Sequence, residues 1–348
     1  MNFRIILAVM AFSALSVSCD SDDDLNVDRD DNTVDVQEPQ LRNRSELFVT
    51  SNTNNTVMVM QNMDDRDDDM ITLGSMSGNN VAVRFDGARD EMILVDGQNG
   101  TLSTTGDMQN ILGLGSGDLS NSVTGSPAFN TPQAMAISDD LLVIADNANN
   151  ELYTYRRTDN GPVPQNVFSV DENITGLEFV GDDLYATVDG TGGMVVFFDF
   201  FTNTTNGNLA SSRPIMLDGV VAARGIAFDR DSGTLAVTDV GDITDSRDGG
   251  VVMINDFLQM MDNSTNMITI PENMQTRIYG QNTQLGNPRA IQMDPTSNRI
   301  FVAEETNGGG RLLSYTMNTV SGDFAPTMSM SAPGASSLSY YREEAPEQ

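Results

Sequence analysis

The chain has 348 residues, with 50 acidic against 18 basic side chains and a formal charge of −32 at pH 7. Nucleic acid and anionic membrane surfaces would be repelled by such a balance, which excludes a polyanion-binding role. All 18 basic residues are arginine, histidine and tryptophan are absent, and Cys19 is the single cysteine. This excludes His-based triads, imidazole and thiolate metal sites, CxxC redox chemistry and intrachain disulfides. Asp, Glu, Arg, Tyr, Ser, Thr and Asn remain as carriers of chemistry, beside binding without chemistry.

Residues 1–19 read MNFRIILAVMAFSALSVSC, with Arg4 ahead of an apolar run from Ile5 to Leu15. That run is too short to cross a hydrocarbon layer of ~30 Å as a helix, but it suits the core of a secretory signal. Its end, Leu15-Ser16-Val17-Ser18-Cys19, resembles a bacterial lipoprotein signal, although Ser16 stands where that pattern has a branched apolar residue. The resemblance implies cleavage after residue 18 and lipidation of Cys19, so the membrane is expected as a partner through an N-terminal lipid anchor. Ser21-Asp22-Asp23-Asp24 resembles the lipoprotein export signal of one group of Gram-negative bacteria, which implies an outer-membrane protein facing the cell exterior. A plain acidic tether facing the periplasm is the alternative. Residues 19–43 are polar and lack apolar periodicity, as expected of a flexible tether. The acids comprise 38 Asp and 12 Glu, a lysine-free composition that resembles proteins of salt-loving organisms. At ~1 M salt the Debye length is ~3 Å and self-repulsion is largely screened.

From residue 44 onward one pattern recurs. A short apolar segment and a turn lead to a second apolar run ending in an acid; an Asn/Gly turn and an alternating strand follow. Examples are NVAVRF with MILVDGQNGTLST, and PQAMAI with LLVIADNANNELYTY. Period-two alternation broken by Gly, Asn and Asp marks antiparallel strands joined by tight turns, and no segment of the body has helical periodicity. The acids align as Asp96, Asp146, Asp189, Asp239 and Glu304, with Ser51 in the equivalent place, at spacings of 45, 50, 43, 50 and 65 residues. Such periods are those of propeller blades. The longest interval contains MMDNSTNMITIPENMQTRIYG, read as an insertion in the fifth blade.

Leu47–Met60, LFVTSNTNNTVMVM, resembles the YVTN repeat of surface-layer propellers, and Phe129–Tyr155 resembles an NHL repeat. The predicted fold of residues 44–348 is therefore all-β: a six-bladed β-propeller of four-stranded antiparallel blades, with seven blades as the alternative. The first blade lacks an inner strand, whereas Ala335–Tyr340 aligns with PRAIQM. The C-terminal strand is expected to enter the first blade and close the ring.

The recurring acids are expected to accept backbone N–H groups of the following turns rather than to share a metal ion. The inner strands line the channel, and their second positions read Val81, Gln133, Thr175, Arg224, Arg289 and Ser336. Arg224 and Arg289 near one mouth could clamp a carboxylate or sulfate through the guanidinium fork. Three positions on, Arg84 and Glu178 are the unusual residues among Ala136, Ala227, Gln292 and Ser339. Arg84, Gln133, Glu178, Arg224 and Arg289 form the candidate ligand-binding set; ion pairs fastening neighbouring blades are the alternative. Asp229-Arg230-Asp231-Ser232-Gly233 looks like the start of a calcium loop. It sits on a hairpin, however, where ordinary turn chemistry suffices, as at Asp294–Asn298, and no resident cofactor is expected. The Asp64–Asp69 run reads as a solvated loop. Met58, Met60, Met63, Met328 and Met330 read as core filling rather than as a copper(I) site.

These features favour a binding or scaffold module for a protein, glycan or small ligand. The alternative is a divalent-ion-dependent lactonase of the gluconolactonase type, to which Glu178 and Asn80 could contribute. Quinone-dependent dehydrogenases dock their blades with tryptophan, which this chain lacks, and a sialidase would need an aromatic in its Asp boxes that is absent.

Overall fold

The computed structural model describes residues 44–343 apart from 64–68, 76, 120–121 and 262–265. The signal segment, Cys19, the tether and most of the Asp64–Asp69 run lie outside the described residues.

Six antiparallel sheets surround a central channel. Blade 1 runs outward as Ala335–Glu343, Arg44–Ser51, Thr56–Gln61 and Asp69–Gly74. Blade 2 comprises Asn80–Asp86, Glu91–Asp96, Thr101–Thr105 and Val123–Thr124. Blade 3 comprises Pro132–Ser138, Leu141–Asp146, Glu151–Arg156 and Val163–Ser169. Blade 4 comprises Ile174–Val180, Asp183–Val188, Gly193–Phe197 and Arg213–Leu217. Blade 5 comprises Ala223–Asp229, Thr234–Asp239, Gly250–Ile254 and Thr276–Tyr279. Blade 6 comprises Pro288–Asp294, Arg299–Glu304, Arg311–Thr316 and Met328–Ser331.

Each blade is covered on both faces by its neighbours, and an apolar cluster fills each of the six junctions. This is why the second strands read as nearly continuous apolar runs: in LLVIAD every residue after Leu141 is buried. The hairpins joining first to second strands turn at Asp90, Asp139, Gly181, Gly233 and Asn298, all at positive φ. Gly, Asn and Asp tolerate this conformation best, so the turns are legible from residue type alone. Met60 and Met63 are buried between blades 6 and 1, with Met58, Met328 and Met330 packed around them, as core filling requires.

The C-terminal strand closes the ring as expected, pairing with Arg44–Ser51 from Arg44↔Glu343 to Ser51↔Ala335. Two findings go beyond the sequence reading. Two short helices, Met108–Gly113 and Phe257–Met261, occur in connections. Each is pinned by one buried pair four residues apart, Met108 with Leu112 and Phe257 with Met261, a signal too short to register as periodicity. The insertion of blade 5 lies between its third and fourth strands and carries Ile268–Ile270, which pairs in parallel with Arg213–Leu217 of blade 4. Gly117–Asp118, from blade 2, extends blade 1 in the same way, and Gly207–Asn208, from blade 4, extends blade 3. An isolated parallel bridge, Ile278↔Gly322, links blade 6 to blade 5.

Candidate functional site

The second residue of every inner strand sits at an irregularity of pairing. In blade 3, Pro132 faces Asp146 and Ala134 faces Ala145, so Gln133 has no partner across the ladder. The same skip falls at Val81, Thr175, Arg289 and Ser336, and in blade 5 it takes in Arg224 and Gly225. A bulge frees a side chain from the pleat; of these six, Gln133, Arg224 and Arg289 are partly exposed at one end of the channel, whereas Thr175 and Ser336 are buried and Val81 packs in the core between blades 2 and 3. Close approach of the inner strands explains two glycines there. A Cβ on Gly176 would lie 2.2 Å from the carbonyl oxygen of Arg224, and one on Gly225 would lie 2.8 Å from the Cα of Ala290.

Most of the six are tied locally. The Thr175 hydroxyl lies 3.1 Å from that of Thr187. Ser336 Oγ donates to the carbonyl of Asn80 at 2.5 Å, and Gln133 Nε2 to that of Thr131 at 3.3 Å. Arg289 Nη1 meets both carboxylate oxygens of Glu305 at 3.1 Å, and Glu305 also accepts Asn52 Nδ2 from blade 1. Arg224 differs: among the described residues its guanidinium has no hydrogen-bond or ion-pair partner. Burial, and next the charge of Arg289, lower its pKa to about 10, while Glu305 and Asp189 act in the opposite direction.

Deeper in the channel Arg84 Nη2 faces Glu178 Oε2 at 3.7 Å, and Arg84 Nη1 donates to the carbonyls of Val83 and Leu338 at 3.1 Å. Both side chains border the lumen, 15% and 23% exposed, yet protein rings them on every side. Desolvation outweighs their mutual attraction, pushing Glu178 up to about 7 and Arg84 down. The inner strands leave a cavity of only about 40 Å³ along this lumen.

The recurring acids do staple turns. Asp146 accepts the N–H groups of Asn130, Thr131 and Ala148. Asp239 accepts those of Val221, Ala222 and Gly241 and the Tyr279 hydroxyl. Glu304 accepts the N–H groups of Gly286, Asn287, Thr306 and Asn307, and Asp96 those of Gln98 and Asn99. Ser51 Oγ accepts those of Thr53 and Asn54. Blade 4 corrects the alignment. There the residue paired with the start of the inner strand is Val188, opposite Ile174, so Asp189 lies one position further out. Asp189 is exposed, and its carboxylate has no hydrogen bond or ion pair among the described residues. Both Arg224 and Asp189 line a pocket of about 340 Å³ with Gly190, Val221, Asp242 and Ile243.

At the hairpin resembling a calcium loop, Asp229 caps the N–H of Ser232, as a turn would. Among the described residues no three acids or cysteines converge closely enough to hold a metal ion. Asn80, buried, accepts the Ser75 hydroxyl and donates to the Ser77 carbonyl. Sequence reasoning did not find Arg157, which pairs with Asp86 and Glu91 to fasten blade 3 to blade 2. Its place after a third strand carries no repeat signal.

No protein-family model matches the chain, and no curated protein matches it. Solved structures do. A chain of a nidogen/laminin complex superposes with a TM-score of 0.57 at 9% identity, over 85% of this chain and 98% of that one. A protein from Lactobacillus plantarum gives 0.54 at 14% identity, over 86% and 99%. A candidate 6-phosphogluconolactonase from Bacteroides uniformis gives 0.52 at 16% identity, over 85% and 84%. At these identities the likeness is one of fold.

Proposed function

We propose that this β-propeller is an exported lipoprotein, anchored through Cys19 and displayed at the outer face of the outer membrane, that binds a ligand at its channel mouth. The ligand, whether protein, glycan or small molecule, carries an anionic group that Arg224 receives. One observation carries this reading: of the six side chains at the inner-strand bulges, Gln133, Arg224 and Arg289 are partly exposed, and the cation among them without a hydrogen-bonded or ion-paired carboxylate is Arg224. Arg289, held by Glu305, borders the same mouth. The residues that could serve a lactonase are otherwise engaged, Asn80 with Ser75 and Ser77 and Glu178 with Arg84, which favours binding over catalysis.

Two experiments test this. Protease treatment of intact cells removes a displayed protein and spares one facing the periplasm. A pull-down from native membranes at high salt yields a partner that Arg224→Ala loses; retention of every partner by that variant and by Arg289→Ala contradicts the mouth as the binding site. Since the Arg224 cation persists to about pH 10, binding stays flat through neutral pH and falls above that value.

A further inference from the structure

The pocket between blades 4 and 5 holds two opposite charges that do not satisfy each other. Arg224 and Asp189 feel one another electrostatically, yet no nitrogen of one lies within ion-pair distance of an oxygen of the other. The surrounding charged groups are engaged. Asp239 is bound by three backbone N–H groups and the Tyr279 hydroxyl, Asp242 accepts the N–H and hydroxyl of Thr244, and Glu305 holds Arg289. A guanidinium and a carboxylate are left facing one cavity with a gap between them. Beside that gap stand two large apolar side chains, Val221 at 60% and Ile243 at 67% exposure. The pocket's volume of about 340 Å³ falls at the small end of the range of small-molecule sites, ~300–1,000 Å³.

Resting on the mouth-binding reading, we infer that the ligand is a zwitterion, a free amino acid with an apolar side chain. Its carboxylate pairs with Arg224, its ammonium with Asp189, and its side chain lies on Val221 and Ile243. Charge-assisted contacts at both ends satisfy two groups that otherwise stay unpaired, and they fix the ligand's direction. The net charge favours the same class. A chain at −32 repels a bare anion at long range, whereas a zwitterion carries no net charge to be repelled. The register shift of blade 4 is what supplies the second pole, because an acid at the position of Val188 would be drawn into the turn as in blades 2, 3, 5 and 6.

Calorimetric titration of the full chain at high salt with L-leucine, N-acetyl-L-leucine and L-leucinamide separates the two charges. The expected result is binding of L-leucine, with each singly charged derivative at least tenfold weaker. Arg224→Ala and Asp189→Asn should each weaken L-leucine at least tenfold while melting with the wild type, and Asp189→Asn should leave N-acetyl-L-leucine unchanged. If N-acetyl-L-leucine binds as tightly as L-leucine, the zwitterion is wrong and the anionic mouth survives. If L-leucine binds and Arg224→Ala does not weaken it, both readings fall. If none of the three binds the wild type, the amino-acid assignment is overturned.

Discussion

Glu178 is held in the channel where its charged form is disfavoured, since loss of water outweighs the attraction of Arg84. A carboxyl whose folded pKa, about 7, exceeds its ordinary value of 4.5 binds more protons folded than unfolded between those values. Stability from this group is therefore full below about pH 4.5 and is lost as pH rises to about 7. Glu178→Gln removes that loss: between pH 4.5 and 8 the variant should gain on the wild type by up to about 3 kcal/mol in denaturant melts. An unchanging difference across that range would show that Glu178 ionises normally. The turn acids give a second contrast. Glu304 is fully buried and accepts four backbone N–H groups, so Glu304→Ala should cost about 3 kcal/mol or more. Asp189→Ala, which breaks no such bond, should melt within about 0.5 kcal/mol of the wild type. Arg224, Arg289, Arg84 and Glu178 could all be singled out in the sequence, because charged residues stand out in columns of small ones. Which of them are neutralised could not, since Glu305 and Asn52 lie in turns whose direction the repeat does not encode. Asp189 was misplaced by one residue because an Asp beside a strand end looks the same on either side of the last ladder pair.

The elements that define the blades repeat strongly enough to read: the second strands, the αL turns and the missing inner strand of blade 1 together imply the C-terminal clasp. Removing residues 333–348 uncovers one edge of Arg44–Ser51 and takes Ala335 and Leu338 out of the core between blades 6 and 1. The truncated chain should show no cooperative melting transition by circular dichroism; a melt matching the full chain would mean that the ring closes without its last strand. The bulges and the parallel fifth strands were not legible. A bulge changes pairing without changing composition, and a strand of two or three residues such as Gly207–Asn208 carries no alternation to detect. Both devices nevertheless shape the molecule, the first by taking the second residue of each inner strand off the ladder and the second by lacing one blade's connection onto the edge of the blade before it.

At the scale of the whole molecule, acids outnumber arginines by 32. Screening should therefore stabilise the ring, with the melting temperature rising as NaCl goes from ~0.1 to ~1 M, where the Debye length shrinks from ~10 to ~3 Å. Equal melting temperatures at both concentrations would place the acids in local structure alone. The clasp also bears on mechanics. The strand Arg44–Ser51 lies second in its sheet, with antiparallel partners on both sides, Ala335–Glu343 and Thr56–Gln61. A pull along that strand from the chain ahead of Arg44 loads two ladders in shear, so their hydrogen bonds must yield together rather than unzip singly. The first strand of the propeller is thus one of its stiffest, and it draws that stiffness from the far end of the chain.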